Sequence, residues 1–206
     1  MLEDCTAGGG WWCEAPGDGD DPMATEWKRR NLPHLTRPGA TYFVTFCRHA
    51  RFERSLTGTQ VAPIIVQTLQ GRAEARYVLY DYTVMPDHVH VILKPVQRPG
   101  TERMPEPEHW ALSEIMQGIK GNSARDINEA LGREGSVWQA ESHDHIVRGR
   151  RGYKAAARYI WWNPVEAGLI ADPEKWPWWG RGLPLRRRTG DAGEGDSGHG
   201  GTASRQ

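Results

Sequence analysis

Two periods alternate along the chain. Runs of β-branched and aromatic residues predict strands, and stretches whose apolar positions recur every three or four residues predict helices. After a Pro-Gly turn at 38–39, Tyr42 to Cys47 reads as a first strand, because such side chains suit a pleated, half-buried surface. Over residues 59–74, Val61, Ile64, Ile65 and Leu69 fall at helical steps, and Pro63 lies near the first turn, where its missing N–H is tolerated. "RYVLYDYTVM" and "HVHVILKP" read as two further strands joined in a hairpin by Pro86 and Asp87. Leu112, Ile115, Met116, Ile119, Ile127 and Leu131 trace a helical stripe that ends at Gly132, with Gly118 and Gly121 weakening its middle. "GSVWQAESHDHIVR" reads as a loop. "YKAAARYIWW" reads as a third helix stopping near Asn163, because the residue before Pro164 is steered away from helical geometry. This order predicts an α+β fold, a ferredoxin-like or RRM-like antiparallel sheet with helices on one face. Many functions use that architecture, so it selects none of them.

Composition changes the picture mainly at the ends. Gly-rich, apolar-poor segments predict a disordered leader over residues 1–27 and a disordered basic and Gly-rich tail over 181–206, leaving one domain at 28–180. Cys5, Cys13 and Cys47 form no C-x-x-C pair, so neither a disulfide framework nor a zinc knuckle is supported. With no basic-then-apolar leader and no apolar run of spanning length, the expectation is a cytoplasmic protein with no membrane partner. Lys and Arg total 26 against 26 Asp and Glu, so net charge points to no partner. Locally, positive residues exceed acidic ones between Gln117 and Arg158, and Lys120, Arg125, Arg148 and Arg158 are candidates for phosphate contacts.

The candidate chemistry begins in "VMPDHVHVILKP". Strand side chains alternate, so His88 and His90 share one face and Val89, Val91 and Leu93 the other. On spacing alone the histidine face reads as solvated. A metal site needs a further ligand, and Tyr159 and Asn163 lie one helical turn apart, so an amide oxygen could join two imidazoles beside a phenol. Taken singly, Tyr159 could equally be a core tyrosine, and Asn163 the N-cap of a helix opened by Pro164. His145, beside Asp144, could be a further ligand or a proton shuttle.

Five collinear blocks, "YFVTF", "MPDHVHVIL", "IMQGIKGNSARDIN", "VWQAESHDHIVR" and "RYIWWNPVEAGLI", resemble the REP-associated tyrosine transposases, within the IS200-like single-tyrosine (HUH) family. The resemblance runs from about residue 31 to 179 and implies the HUH nuclease fold. It places the histidine, hydrophobic, histidine motif on His88, Val89 and His90, the catalytic tyrosine on Tyr159 and a polar metal ligand on Asn163. It further implies an endonuclease and strand transferase for single-stranded or hairpin DNA, using Mg2+ or Mn2+ and a 5′-phosphotyrosine intermediate. No nucleotide cofactor is expected, because the covalent link conserves the phosphodiester energy. Two positions depart from the family pattern: Asp87, where asparagine is frequent, and His143, where an aromatic is usual. Two other readings stay open, a non-catalytic single-stranded nucleic-acid-binding module and a metallohydrolase without covalent intermediate. Monomer and homodimer are both compatible with the sequence.

Overall fold

A computed structural model describes residues 37–182, apart from 72, 74 and 102. The leader at 1–27 and all but the first two residues of the tail lie outside the described residues. In chain order the elements are β1 (Thr41–Cys47), α1 (Ala62–Gly71), β2 (Tyr77–Val84), β3 (His88–Pro95), α2 (Leu112–Ala130), β4 (His143–Val147), α3 (Gly149–Glu166) and β5 (Trp179–Arg181). The strands form one antiparallel sheet in the order β4-β1-β3-β2-β5. This is the expected α+β class. The β2–β3 hairpin, the site of Pro63 and the end of α2 at left-handed Gly132 also follow the pattern of the sequence.

One sheet face carries the main core. Val44 and Phe46 of β1, Tyr82 and Val84 of β2 and Val91 and Leu93 of β3 are buried with Ile65 and Leu69 of α1 and with Ile115, Ile119 and Ile127 of α2. The apolar stripes of α1 and α2 therefore do what their spacing predicts. The expectation that all helices share a face needs correction, because α3 covers the opposite face. There Phe43 and Ile92 of the sheet pack with Ala156 and Ile160. The physical reason lies in β1, whose residues from Tyr42 to Cys47 are all buried, the pattern of a strand covered on both sides.

A bulge in β2 decides what faces α3. The register shifts between Leu79 and Asp81, leaving Tyr80 as the extra residue. Strict alternation from Tyr77 and Leu79 would send residues 81 and 83 into the main core. The shift instead puts Tyr82 and Val84 there and turns Asp81 and Thr83 toward α3.

Three other expectations are revised. The third helix starts at Gly149 and runs through Pro164 to Glu166, so Asn163 is an interior helical residue rather than an N-cap. Pro164 removes one donor, yet Ala167 N–H still reaches the carbonyl of Asn163 at 3.0 Å, Leu169 N–H reaches that of Pro164 at 3.0 Å, and Pro164 itself is buried. Such packing offsets the lost bond. The loop expected around residue 145 contains β4, whose His-Asp-His-Ile-Val has little apolar pattern and forms because β1 offers it a paired edge. The domain boundary after 180 falls inside β5, which pairs with β2 through Asp81, Tyr82 and Thr83. Gly180 allows that approach: a Cβ there would lie 2.4 Å from the Tyr82 hydroxyl. Among the described residues no helix is long and apolar enough to cross a membrane.

Candidate active site

His88 and His90 do share a strand face, but α3 covers that face. His90 is 2% exposed, so the solvated reading is wrong for it, while His88 remains half-buried. Their Nε2 atoms lie 3.0 Å apart. Each ring is braced through its other nitrogen: His88 Nδ1 is 2.7 Å from Asp87 Oδ1, and His90 Nδ1 is 2.7 Å from Thr45 Oγ1. Thr45 reaches His90 because the two are register partners across β1 and β3. An ionised carboxylate only accepts, so His88 donates from Nδ1, the tautomer that leaves Nε2 free to accept or to ligate. Without an ion, a consistent chain then runs from the Thr45 hydroxyl to His90 Nδ1, and from His90 Nε2–H to His88 Nε2.

The electrostatics suit ligands. Burial, and secondarily His88, holds the His90 imidazole well below its ordinary range, so this ring is neutral at neutral pH. The hydrogen bond from His88 is the largest influence pulling the Asp87 carboxyl below its usual range, and it outweighs the cost of burial. Asp87 thus meets the back of His88 at the nitrogen opposite Nε2.

Tyr159 and Asn163 complete the group from α3. The Tyr159 ring centroid is 5.3 Å from that of His90 and 5.9 Å from that of Phe43. Asn163 is 9% exposed and hydrogen-bonds the Tyr159 hydroxyl, which favours the phenolate. Burial, with the Glu166 charge behind it, wins, and the phenol is pushed up to about 12. His145 stacks on Phe43 at 5.0 Å, with the Phe43 ring also against His90 and Tyr159.

Among the described residues no three His, Cys, Asp or Glu side chains gather as a metal site, so an ion here would need the Asn163 amide or a substrate oxygen beside the two imidazoles. The donor pair fits that role. Adjacent ligands at about 2.1 Å in octahedral geometry sit about 3 Å from each other, which is the observed Nε2 separation. Bracing of the far nitrogens by Asp87 and Thr45 is the support that ligating imidazoles require.

The four basic candidates do not form one patch. Lys120 lies on α2, across the sheet from α3, and its ammonium donates to the carbonyls of Ala140 at 2.7 Å and Glu141 at 3.3 Å. Arg125, also on α2, pairs with Asp126 at 2.9 Å. Arg148 at the N-cap of α3 and Arg158 beside Tyr159 are exposed. Thr45 and Phe43 lie in the first recognised block, "YFVTF", but only strand pairing reveals that they meet the histidines.

The family model for IS200-like transposases matches residues 40–160, which include His88, His90 and Tyr159 and stop short of Asn163. The chain belongs to the IS200-like transposase family. Over 139 residues it is 24% identical to the REP-associated tyrosine transposase of Escherichia coli K12, covering 68% of this chain and 74% of that one. A Haemophilus influenzae protein assigned to the same group is 23% identical over 105 residues, 46% of this chain and 53% of that one. A solved REP-associated tyrosine transposase bound to a REP hairpin superposes with a TM-score of 0.57 at 21% identity, over 73% of this chain and 82% of that one, and so shares the fold.

The tyrosines of this transposase-family chain carry a pH dependence. Burial raises Tyr153 and Tyr159 to about 12 from an ordinary 10.0, and raises Tyr42 and Tyr82 in the same direction. Between those values the unfolded chain releases protons that the folded protein retains. The contribution to stability is therefore fully present below pH 10 and lost as pH rises through about 12. A denaturation midpoint that falls over that window, and falls less in Tyr153→Phe, is the expected result; a midpoint that does not move would contradict it.

Proposed function

We propose that the chain is a divalent-metal-dependent endonuclease and strand transferase for single-stranded DNA at REP-type hairpins. Tyr159 is the nucleophile, and His88, His90 and Asn163 are the ligands of Mg2+ or Mn2+. The observation that carries this reading is one cluster: paired imidazole Nε2 atoms 3.0 Å apart, with the Tyr159 ring against His90 and Asn163 on its hydroxyl. Membership of the transposase family and the DNA-bound fold relative support the choice of DNA.

A hydroxyl held at about 12 is ionised in roughly one copy in 10⁵ at neutral pH, so attack depends on help. Asn163 donates to the phenolic oxygen and stabilises the charge it develops. A bound divalent ion would neutralise the non-bridging phosphate oxygens and make phosphorus more electrophilic. Tyr159 Oη then bonds to phosphorus while the bond from phosphorus to the 3′-oxygen breaks. In net balance the phenol proton is lost and the departing 3′-oxygen gains one. The phosphodiester is kept as a 5′-phosphotyrosine, which a second 3′-hydroxyl can attack without a nucleotide cofactor. Arg158 of α3 and Arg148 at its N-cap, both exposed, are the side chains that would meet backbone phosphates.

The test uses labelled single-stranded DNA carrying a REP-type hairpin, with Mn2+ or with chelator. A denaturant-resistant protein–DNA adduct that needs the metal is expected. Binding without cleavage would favour the non-catalytic module, and cleavage without an adduct the metallohydrolase.

A further inference from the structure

The helix that carries Tyr159 is thinly attached by apolar contact. Its buried residues are Ala156, Ile160, Asn163 and Pro164; Ala156 and Ile160 pack with Phe43 and Ile92 of the sheet, while the other hydrophobics packed there, Tyr80, Val147 and Trp179 among them, are only partly buried. Against this stands a buried polar contact that the chemistry of Tyr159 does not use. Asp81, fully buried on β2, accepts from the Tyr153 hydroxyl at 2.6 Å and from Arg181 Nε at 3.1 Å. Those partners come from the first turns of α3 and from the terminal strand β5. The Tyr153 ring also meets Tyr80, the extra residue of the bulge, edge-to-face at 5.6 Å.

A carboxylate buried on a sheet is expensive unless its oxygens are satisfied, and it penalises any shift of the groups that satisfy it. Hydrophobic seams are non-directional and tolerate sliding, whereas a 2.6 Å bond to a charge does not. The β2 bulge is what turns Asp81 toward α3, so the fold departs from regular strand geometry at the point where this contact is made.

We infer that Asp81, Tyr153 and Arg181 form a clamp that fixes the register of α3 on the sheet, making them positioning residues for Tyr159 opposite the histidine pair. This inference rests on the nuclease reading for its consequence and on the hydrogen-bond geometry for its mechanism. Displacement of about 1 Å at a reacting group can cost roughly 100-fold in rate. Residues 153 to 159 belong to one continuous helix, so slippage at Tyr153 is transmitted to Tyr159.

The experiment uses the full chain with Tyr153→Phe, Asp81→Asn and Arg181→Met. It reads adduct formation at saturating hairpin DNA, DNA affinity, and amide hydrogen exchange, all well below the melting temperature. For Tyr153→Phe the adduct should form about 10- to 100-fold more slowly with affinity within about twofold of the parent. Exchange should quicken in α3 while β1 and β3 stay protected. A residue that only added stability would leave the rate of the folded fraction unchanged. The double variant Asp81→Asn with Tyr153→Phe should be little slower than the slower single variant, because one change removes the charge and the other the hydroxyl of a single contact. Formation of the adduct at the parental rate overturns the inference, as does slow formation with α3 exchange unaltered. Should Asp81→Asn fail to fold, Arg181→Met, altered at a side chain 70% exposed, decides by the same readings. If the parent protein forms no adduct, the nuclease reading fails on its own, and the exchange of α3 still supports or overturns the clamp.

Discussion

Tyr159→Phe is expected to fold, to bind hairpin DNA with near-parental affinity, and to form neither nick nor covalent adduct. The ring keeps its contacts with His90 and Phe43, so what the protein loses is the Asn163 bond to the hydroxyl. Loss of such a bond typically costs about 0.5 to 1.5 kcal/mol, and removing a hydroxyl held at about 12 also relieves alkaline destabilisation. Activity should fall to background, because a phenyl ring has no oxygen with which to attack phosphorus. Mass spectrometry of the parental adduct should place the phosphate on Tyr159. Phosphate found on Tyr153 would move the nucleophile while preserving the reaction class, and an active Tyr159→Phe with no adduct anywhere would favour the metallohydrolase. On the sequence, Tyr153→Phe looks like an inert control for this experiment. The structure removes that use, since the Tyr153 hydroxyl donates to buried Asp81.

What the sequence made legible follows from where periodicity is strong. The strands at 42–47 and 77–95 and the stripes of α1 and α2 each face one dominant core, so their apolar spacing reports their geometry directly. The pairing of His88 with His90 on one face, and of Tyr159 with Asn163 on one helix, was legible for the same reason, because alternation and helical repeat are local properties. Whether the histidine face was wet was not local. It depended on α3 crossing the other side of the sheet, which is foreshadowed only by β1 being apolar at every position from Tyr42 to Phe46 apart from Thr45.

Other features were illegible for separate physical reasons. β4 contains two histidines and an aspartate and exists by pairing with β1 rather than by its own propensity. Pro164 is an ordinary helix stop when read along the chain, and the helix passes it because the proline is buried and the following turn keeps its bonds. Nothing along the chain marks Asp81, and only the register shift reveals that it is turned to meet α3. The recognisable blocks identified the family, which the match over residues 40–160 bears out. Thr45 and Phe43 lie inside the first of these blocks, yet their contacts with His90 depend on strand pairing and on side-chain placement.

Removal of either imidazole should abolish metal-dependent cleavage, but the two changes should differ in stability. His88 is half-buried, and its loss frees Asp87 at a position open to water, so His88→Ala should fold with a small penalty. His90 is buried, and His90→Ala leaves a void and strips the Thr45 hydroxyl of its partner. An unsatisfied buried hydroxyl costs about 1 to 3 kcal/mol before the cavity is counted. His90→Gln, which keeps a polar group near Thr45, should recover part of that stability while remaining inactive. Mn2+ binding followed by calorimetry separates chemistry from folding: the parent should bind one ion per chain, and His88→Ala should lose that binding while its melting curve stays close to parental. Asp87→Asn should sit between them, since an amide oxygen can still accept from His88 Nδ1 but lacks the charge that raises imidazole basicity, with affinity down by about 10-fold or more. Cleavage by folded His88→Ala at the parental rate and metal concentration would remove the histidine pair from the mechanism, leaving Tyr159 without the electrophilic assistance that a phenol so far above neutral pH requires.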